Sequence, residues 1–174
     1  MTLIIRPATL DDIPSITKIY GNSVLYETAS WELTPPDEAE MARRMQTLLD
    51  QHYPYFVATV DGTLAGYSYA SSYRPRPGYR FTVEDSVYMD NAYKRRGIAR
   101  QLVSAVIDAC TARNYRQMIA VIGDSANLAS IALHQRLGFT HAGLLPTIGF
   151  KHGRWLDGVI MQRPLGTGSQ TLPE

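Results

Sequence analysis

The chain has 174 residues, 45% hydrophobic and 19% charged, the profile of an ordinary globular protein and not of a disordered or fibrous one. Lys+Arg is 17 against Asp+Glu 16, a net charge of +1, so no global field draws in nucleic acid or an acidic membrane, and any basic function has to be local. Cys110 stands alone, which rules out an intrachain disulfide and a cysteine-based metal site and makes a reducing cytoplasm the expected compartment.

The opening "MTLIIRPATL" has too short an apolar run to read as a signal peptide or a membrane span, and no later segment reaches about 18 apolar residues. Within it "LIIR" is a first strand. Thr9 and Asp12 are spaced like a capping box, and Ile13, Ile16, Tyr20 and Val24 then recur at helical spacing. A second helix is expected over "PPDEAEMARRMQTLLDQ", with Met41, Met45, Leu48 and Leu49 on one side. "YFVATV" and "LAGYSYASSY" flank an Asp-Gly pair and form a hairpin, whereas Pro75, Pro77 and Gly78 make "RPRPGY" a loop. "RFTVEDSVYM" alternates as a strand, "GIARQLVSAVIDACTARN" is a long helix, "QMIAVIG" a buried strand, and "NLASIALHQRLG" a helix closed by Gly138. "FTHAGLL" and "WLDGVIMQR" are the last strands, with "FKHGRWLDG" read as a loop that shapes a pocket or a dimer contact. The order β-α-α-β-β-β-α-β-α-β-β predicts a mixed α/β fold: one domain over residues 1–165, built on a mostly antiparallel sheet with a βαβ half. Residues 166–174 are expected to be a mobile tail.

The charge concentrates in "YKRRGIARQL", where a strand passes through a basic loop into Gly97 and a helix. A helix N-terminus carries unpaired N–H groups and a partial positive charge, so it binds anions. Gly97 lets a bulky anion reach the backbone, Ala99 keeps the first turn open, and Lys94, Arg95, Arg96 and Arg100 add charge at the end where the dipole disfavours it. A phosphate-rich ligand is the expectation, weighed against a solvated basic turn. The pattern is neither a P-loop nor a dinucleotide fingerprint.

"KRRGIA", residues 94–99, resembles the pyrophosphate loop of the GNAT N-acetyltransferase superfamily, with Lys94 where Arg or Gln is usual. "NLASIALHQRLGF" is similar to a second superfamily segment, with His134 where many members carry Tyr. "TVEDSVYM", "AVIGDSANLASIALHQRLGF" and "GFKHGRWLDGVIMQ" extend the resemblance over nearly the whole chain, to the phosphinothricin and methionine sulfoximine acetyltransferase branch. The resemblance implies a GNAT fold, acetyl-CoA as co-substrate, and transfer of acetyl to the α-amino group of a small amino-acid analogue. It also implies a homodimer in which the C-terminal strands help form the pocket. A membrane or nucleic-acid partner is not expected.

Site residues follow from both sources. Amine acetylation needs a deprotonated amine, a polarised thioester carbonyl and a proton for the leaving thiolate. On "FTVEDSVYM", Phe81, Val83, Asp85, Val87 and Met89 face one way and Thr82, Glu84, Ser86 and Tyr88 the other. A carboxylate among apolar strand neighbours is costly unless paired or used, and the resemblance implies that Glu84 is the general base. It likewise implies that Val87, Tyr88 and Met89 run beside the pantetheine arm and that Arg95, Arg96, Gly97, Ile98, Ala99 and Arg100 hold the pyrophosphate. Asn127 is expected at the pantetheine, or as a helix N-cap, or both. His134 is the candidate acid for the thiolate, weighed against an ordinary helical histidine, and Arg136 is a weaker cofactor contact.

Arg74, Arg76 and Arg80 on the proline-bounded loop suit a carboxylate or phosphinate, weighed against a solvated basic loop, with Pro75 stiffening the loop and Asp85 and Ser86 counted among the acceptor contacts. Arg74 and Arg80 match positions of the branch that the chain resembles, whereas Arg76 departs from an aromatic or apolar residue common nearby and leaves the exact acceptor open. Trp31 and Tyr26 are assigned to the far wall of the pocket or to the core, without a choice between them. No metal site is expected, since the His, Asp and Lys near residue 152 lack further ligands at usable spacing. Cys110 is expected to be packed and inert. Two other outcomes are a polyamine or peptide N-terminus as acceptor, which the three arginines disfavour for polyamines, and a non-catalytic acyl-CoA-binding module, which would need neither Glu84 nor His134.

Overall fold

The computed structural model describes residues 2–173; Met1 and Glu174, the outer ends of the expected domain and tail, lie outside the described residues. Leu3–Pro7 (β1) is followed by two helices, Ile13–Tyr26 (α1) and Glu38–Asp50 (α2), and by the strands Tyr55–Val60 (β2), Thr63–Ser72 (β3) and Thr82–Met89 (β4). Then come Ile98–Ala112 (α3), Gln117–Gly123 (β5), Leu128–Arg136 (α4), Thr140–Lys151 (β6) and Arg154–Pro164 (β7). This is the order expected from the sequence, with short 3-10 turns added at Leu10–Asp12, Pro77–Tyr79 and Asn91–Tyr93.

Local chemistry explains the boundaries. The Asp12 carboxylate accepts the Thr9 N–H at 2.9 Å and a two-pronged contact from Arg6 at 2.7 and 2.8 Å, which anchors the start of α1. Pro14 lies in the first turn, where its missing N–H leaves no bond unmade. The Asp37 side chain caps α2 by accepting from the Glu40 N–H at 2.8 Å. Asp61 and Gly62, both at positive φ (47° and 83°), make the two-residue turn between β2 and β3.

The sheet has seven strands in the order β1-β2-β3-β4-β5-β7-β6, and the β4/β5 pair is the one parallel step. One face is covered by α1 and α2, around Ile16, Val24, Met45, Val57 and Tyr67. The other is covered by α3, whose Val103, Val106, Ile107 and Cys110 meet Val83, Met118 and Met161. The end of the chain differs from the loop read at "FKHGRWLDG". There β6 runs on to Lys151, β7 starts at Arg154, and His152 with Gly153, at φ 52° and 72°, forms the turn. Register shifts at His141/Gly143 and Leu145/Gly149, with Thr147 at φ 51°, break the alternation while keeping the hairpin paired.

Candidate active site

β4 and β5 pair only from Thr82↔Gln117 to Asp85↔Ala120, although β4 continues to Met89 and β5 to Gly123. Where the pairing stops, a cavity of about 390 Å³ opens, lined by Ser86, Val87 and Tyr88 on one side and Val121, Ile122 and Gly123 on the other. Strand edges that lose their ladder partner present free N–H and C=O groups, which an extended amide-bearing ligand can take up. Asn127 lies on the same wall and also caps α4, its side chain accepting from the Ser130 N–H at 3.2 Å.

Two neighbouring carboxylates stand at the head of this gap. Glu84 faces the α1/α2 side, and no cationic side chain among the described residues pairs with it. Burial, and then the nearby charge of Asp85, raise its pKa to about 7. Asp85 points to the other side and is held by the Nε2 of His134 at 3.0 Å, while the His134 Nδ1 meets the Ser130 carbonyl at 2.8 Å. The His134 ring stands edge-on to Phe139, 5.0 Å between centroids. Behind Glu84 the rings of Tyr20, Tyr69 and Tyr88 form an aromatic wall, and burial pushes the Tyr69 and Tyr88 phenols above their usual range, so they stay neutral.

At the far end of β4 the chain enters α3 through Gly97, at φ 77° with open space where a Cβ would stand. The helix therefore starts with its N–H groups uncrowded, beneath the exposed side chains of Arg95, Arg96 and Arg100. Ile98 is buried against Leu102 and Ala65, so it offers this end only its backbone. Among the described residues no group of three His, Cys, Asp or Glu gathers as metal ligands, and no helix is long and apolar enough to cross a membrane.

A profile of the acetyltransferase (GNAT) family matches residues 20–139. The chain belongs to the acetyltransferase (GNAT) family. A phosphinothricin N-acetyltransferase of Alcaligenes faecalis is 50% identical over 98% of this chain and 86% of its own. An L-methionine sulfoximine/L-methionine sulfone acetyltransferase of Pseudomonas aeruginosa is 41% identical over 93% of this chain and 94% of its own. The crystal structure of a GNAT superfamily phosphinothricin acetyltransferase from Sinorhizobium meliloti, in complex with AcCoA, superposes with a TM-score of 0.97 at 51% identity, covering 100% of this chain and 94% of that one.

Within this GNAT domain the residues singled out from sequence divide into three groups. Glu84, Asp85, Ser86, Val87, Tyr88, Asn127 and His134 come together on the cavity wall, and Met89 continues the same strand. Arg95 through Arg100 cluster at the start of α3. Arg74, Pro75, Arg76 and Arg80 are exposed and do not line the cavity; Arg80 lies over the Phe81 ring at 4.5 Å and Arg74 over Tyr73 at 5.2 Å. Arg136 is exposed at the end of α4, and Tyr26 is exposed away from the wall. Lys94 is ion-paired with Glu27, which ties the basic loop to the segment after α1.

That segment supplies the wall that sequence reasoning left open. Trp31 lines the cavity and lies flat against glycines: a Cβ on Gly149 would come within 2.1 Å of its ring, and one on Gly123 within 2.0 Å of the Thr28 carbonyl oxygen. Lys151, buried, donates to the Ser30 carbonyl at 2.6 Å, and burial lowers its pKa against the pull of Glu27 and Glu32. Tyr20, Ser30, Glu32, Tyr69 and Ser71 also reach the cavity and carried no signal in the sequence beyond helix and strand periodicity.

Proposed function

We propose that this chain moves acetyl from acetyl-CoA directly to the α-amino group of a small amino-acid analogue of the phosphinothricin, methionine sulfoximine or methionine sulfone kind. The observation that carries this reading is Glu84: an unpaired carboxyl with a pKa near about 7, at the point where β4 and β5 part. Such a group is poised to take a proton from an ammonium near neutral pH. The amine lone pair then attacks the thioester carbonyl, the C–S bond breaks, and His134 supplies a proton to the departing thiolate. Acetyl-CoA would lie with its pantetheine along residues 86–89 and Asn127, and its pyrophosphate at Arg95–Arg100, where the open N-terminus of α3 fits a dianion.

Arg74, Arg76 and Arg80 stand on the loop that joins Ser72 to Thr82, next in the chain to Ser71 and Glu84 of the cavity wall. We assign them to the acceptor's carboxylate, with Pro75 holding their loop. Leu144, Leu145, Ile148, Phe150 and Trp155 leave the β6–β7 hairpin unusually apolar and exposed, which supports a homodimer through that hairpin. The free thiol of Cys110 fits work in a reducing cytoplasm, and the activity would serve detoxification of glutamine-synthetase-type inhibitors.

The test is release of free CoA thiol from acetyl-CoA with a panel of amines: methionine sulfoximine, methionine sulfone, phosphinothricin, common amino acids, spermidine and short peptides. Release confined to the tetrahedral sulfur and phosphorus analogues is expected. Release with spermidine or peptides instead overturns the acceptor, and thermal stabilisation by CoA without any turnover overturns the catalytic reading.

A further inference from the structure

Asp85 and His134 come from positions 49 apart and meet in the interior, with side chains 1% and 4% exposed. The Ser130 carbonyl 2.8 Å from Nδ1 can only accept, so Nδ1 carries a proton that stays on the backbone contact. A hydrogen bond across the 3.0 Å contact between Nε2 and the Asp85 Oδ2 needs one further proton, on the imidazole or on the carboxyl. Without it a nitrogen lone pair would face a carboxylate between two deeply buried side chains, an arrangement that favours taking up a proton. The other oxygen, Oδ1, is buried with no hydrogen-bond partner among the described residues, so Asp85 depends on His134 for what satisfaction it has.

Both side chains line the cavity that holds Glu84. Resting on the reading that His134 protonates the thiolate, we propose that Asp85 is a positioning residue for that step: it keeps the transferable proton on the Nε2 side of His134, making the pair a one-proton store for the leaving sulfur. In the step itself the C–S electron pair departs on sulfur, the proton held between Nε2 and the Asp85 Oδ2 leaves that hydrogen bond for the sulfur through the cavity both side chains line, and a neutral imidazole remains with its Nδ1 proton in place. The Nε2 lone pair then faces the Asp85 carboxylate, and the pair resets by taking a proton from solvent. Over the whole reaction the ammonium gives up two protons, one before and one after the amine attacks, both passed to solvent through Glu84; His134 takes one proton back from solvent, so the net release is one.

The surroundings agree with this assignment. Burial works against a charged imidazole, but the hydrogen bond and charge of Asp85, with the Ser130 carbonyl, outweigh it and raise the His134 pKa. The other titratable groups near the pair are Glu84 on the same strand and Cys110 of α3, a neutral thiol pushed up to about 12 by burial.

Two measurements test the proposal. In the wild-type protein, nitrogen NMR of ¹⁵N-labelled imidazoles, with His134→Gln to assign the signal, is expected to find His134 still protonated on both nitrogens above the ordinary histidine pKa of about 6.5. A His134 that is neutral there overturns the proposal. In kinetics, Asp85→Asn keeps the shape and removes the charge. It is expected to cut kcat about tenfold or more at alkaline pH and to move the alkaline limb of kcat downward, leaving KM for acetyl-CoA unchanged. Asp85→Glu recovers part of the limb, and Asp85→Asn adds nothing to His134→Gln. An unmoved limb in Asp85→Asn, with kcat still depressed in His134→Gln, overturns the role of Asp85 and leaves the His134 reading standing. Unchanged kcat in His134→Gln removes the His134 reading itself.

Discussion

The two faces of β4 treat adjacent carboxylates in opposite ways. On the face toward α1 and α2, Glu84 stands before tyrosine rings with no ion-pair partner among the described residues, and its pKa rises to about 7. On the face toward α3 and α4, Asp85 is more deeply buried but leans on an imidazole. Both sit where pairing with β5 ends, so the backbone treats them alike and the difference comes from what packs against each face. A tyrosine wall offers bulk without charge and leaves a carboxylate reactive. A helix that delivers one histidine turns the next carboxylate into an orienting group.

The sharpest way to break this comparison is to make the first face neutral. Glu84→Gln is expected to lower kcat by about 10²–10⁴ at pH 8, with KM for acetyl-CoA little changed. In the wild type, kcat/KM should climb through about pH 7 as the carboxylate forms, and that acid limb should vanish in the variant. A surviving limb would assign it to another group and remove Glu84 as the base.

A smaller effect probes the wall itself. Gly149→Ala would drive a Cβ into the Trp31 ring and is expected to raise KM for the acceptor by about tenfold while sparing acetyl-CoA. The same change in a Trp31→Ala background should do nothing further. If both backgrounds lose equally, the glycine serves the β6–β7 hairpin and not the wall.

The smallest effect is on stability, and its sign is opposite to the usual one for a carboxylate. The folded pKa of Glu84 lies above its unfolded value of 4.5, so ionising it costs the native state. That cost is absent at acid pH, grows between about 4.5 and 7, and is constant above. Glu84→Gln should therefore raise Tm at pH 8, by about 2–4 °C per kcal/mol relieved, and leave it unchanged at pH 4. A variant equally stable at both would mean that water already solvates the carboxylate.

What the sequence made legible was local. The Asp-Gly turn, the Thr9/Asp12 start of α1, the full length of β5 and the two-faced alternation of β4 all depend on neighbours within a few residues. Alternation assigns a residue to a face but does not name what waits there. It put Glu84 and Asp85 on opposite sides without revealing that Asp85 would meet His134. The Trp31–Gly149 contact joins distant parts of the chain, and no periodicity announces it. Sequence alternation falls short of the full β6–β7 hairpin because its register shifts erase the two-residue rhythm. The arginine loop has the chemistry of a carboxylate site, yet its exposed side chains lie outside the cavity of a single chain.

The lone cysteine has a practical consequence. Cys110 lies on the buried face of α3, fully enclosed, with its thiol pushed up to about 12, so almost none of it is thiolate in the native protein at neutral pH. A chromogenic disulfide reagent added to a turnover assay would thus read the coenzyme alone, with negligible background from folded protein. Added under increasing denaturant, the same reagent would report the opening of the α3 core, giving a one-colour readout of unfolding from an unmodified chain.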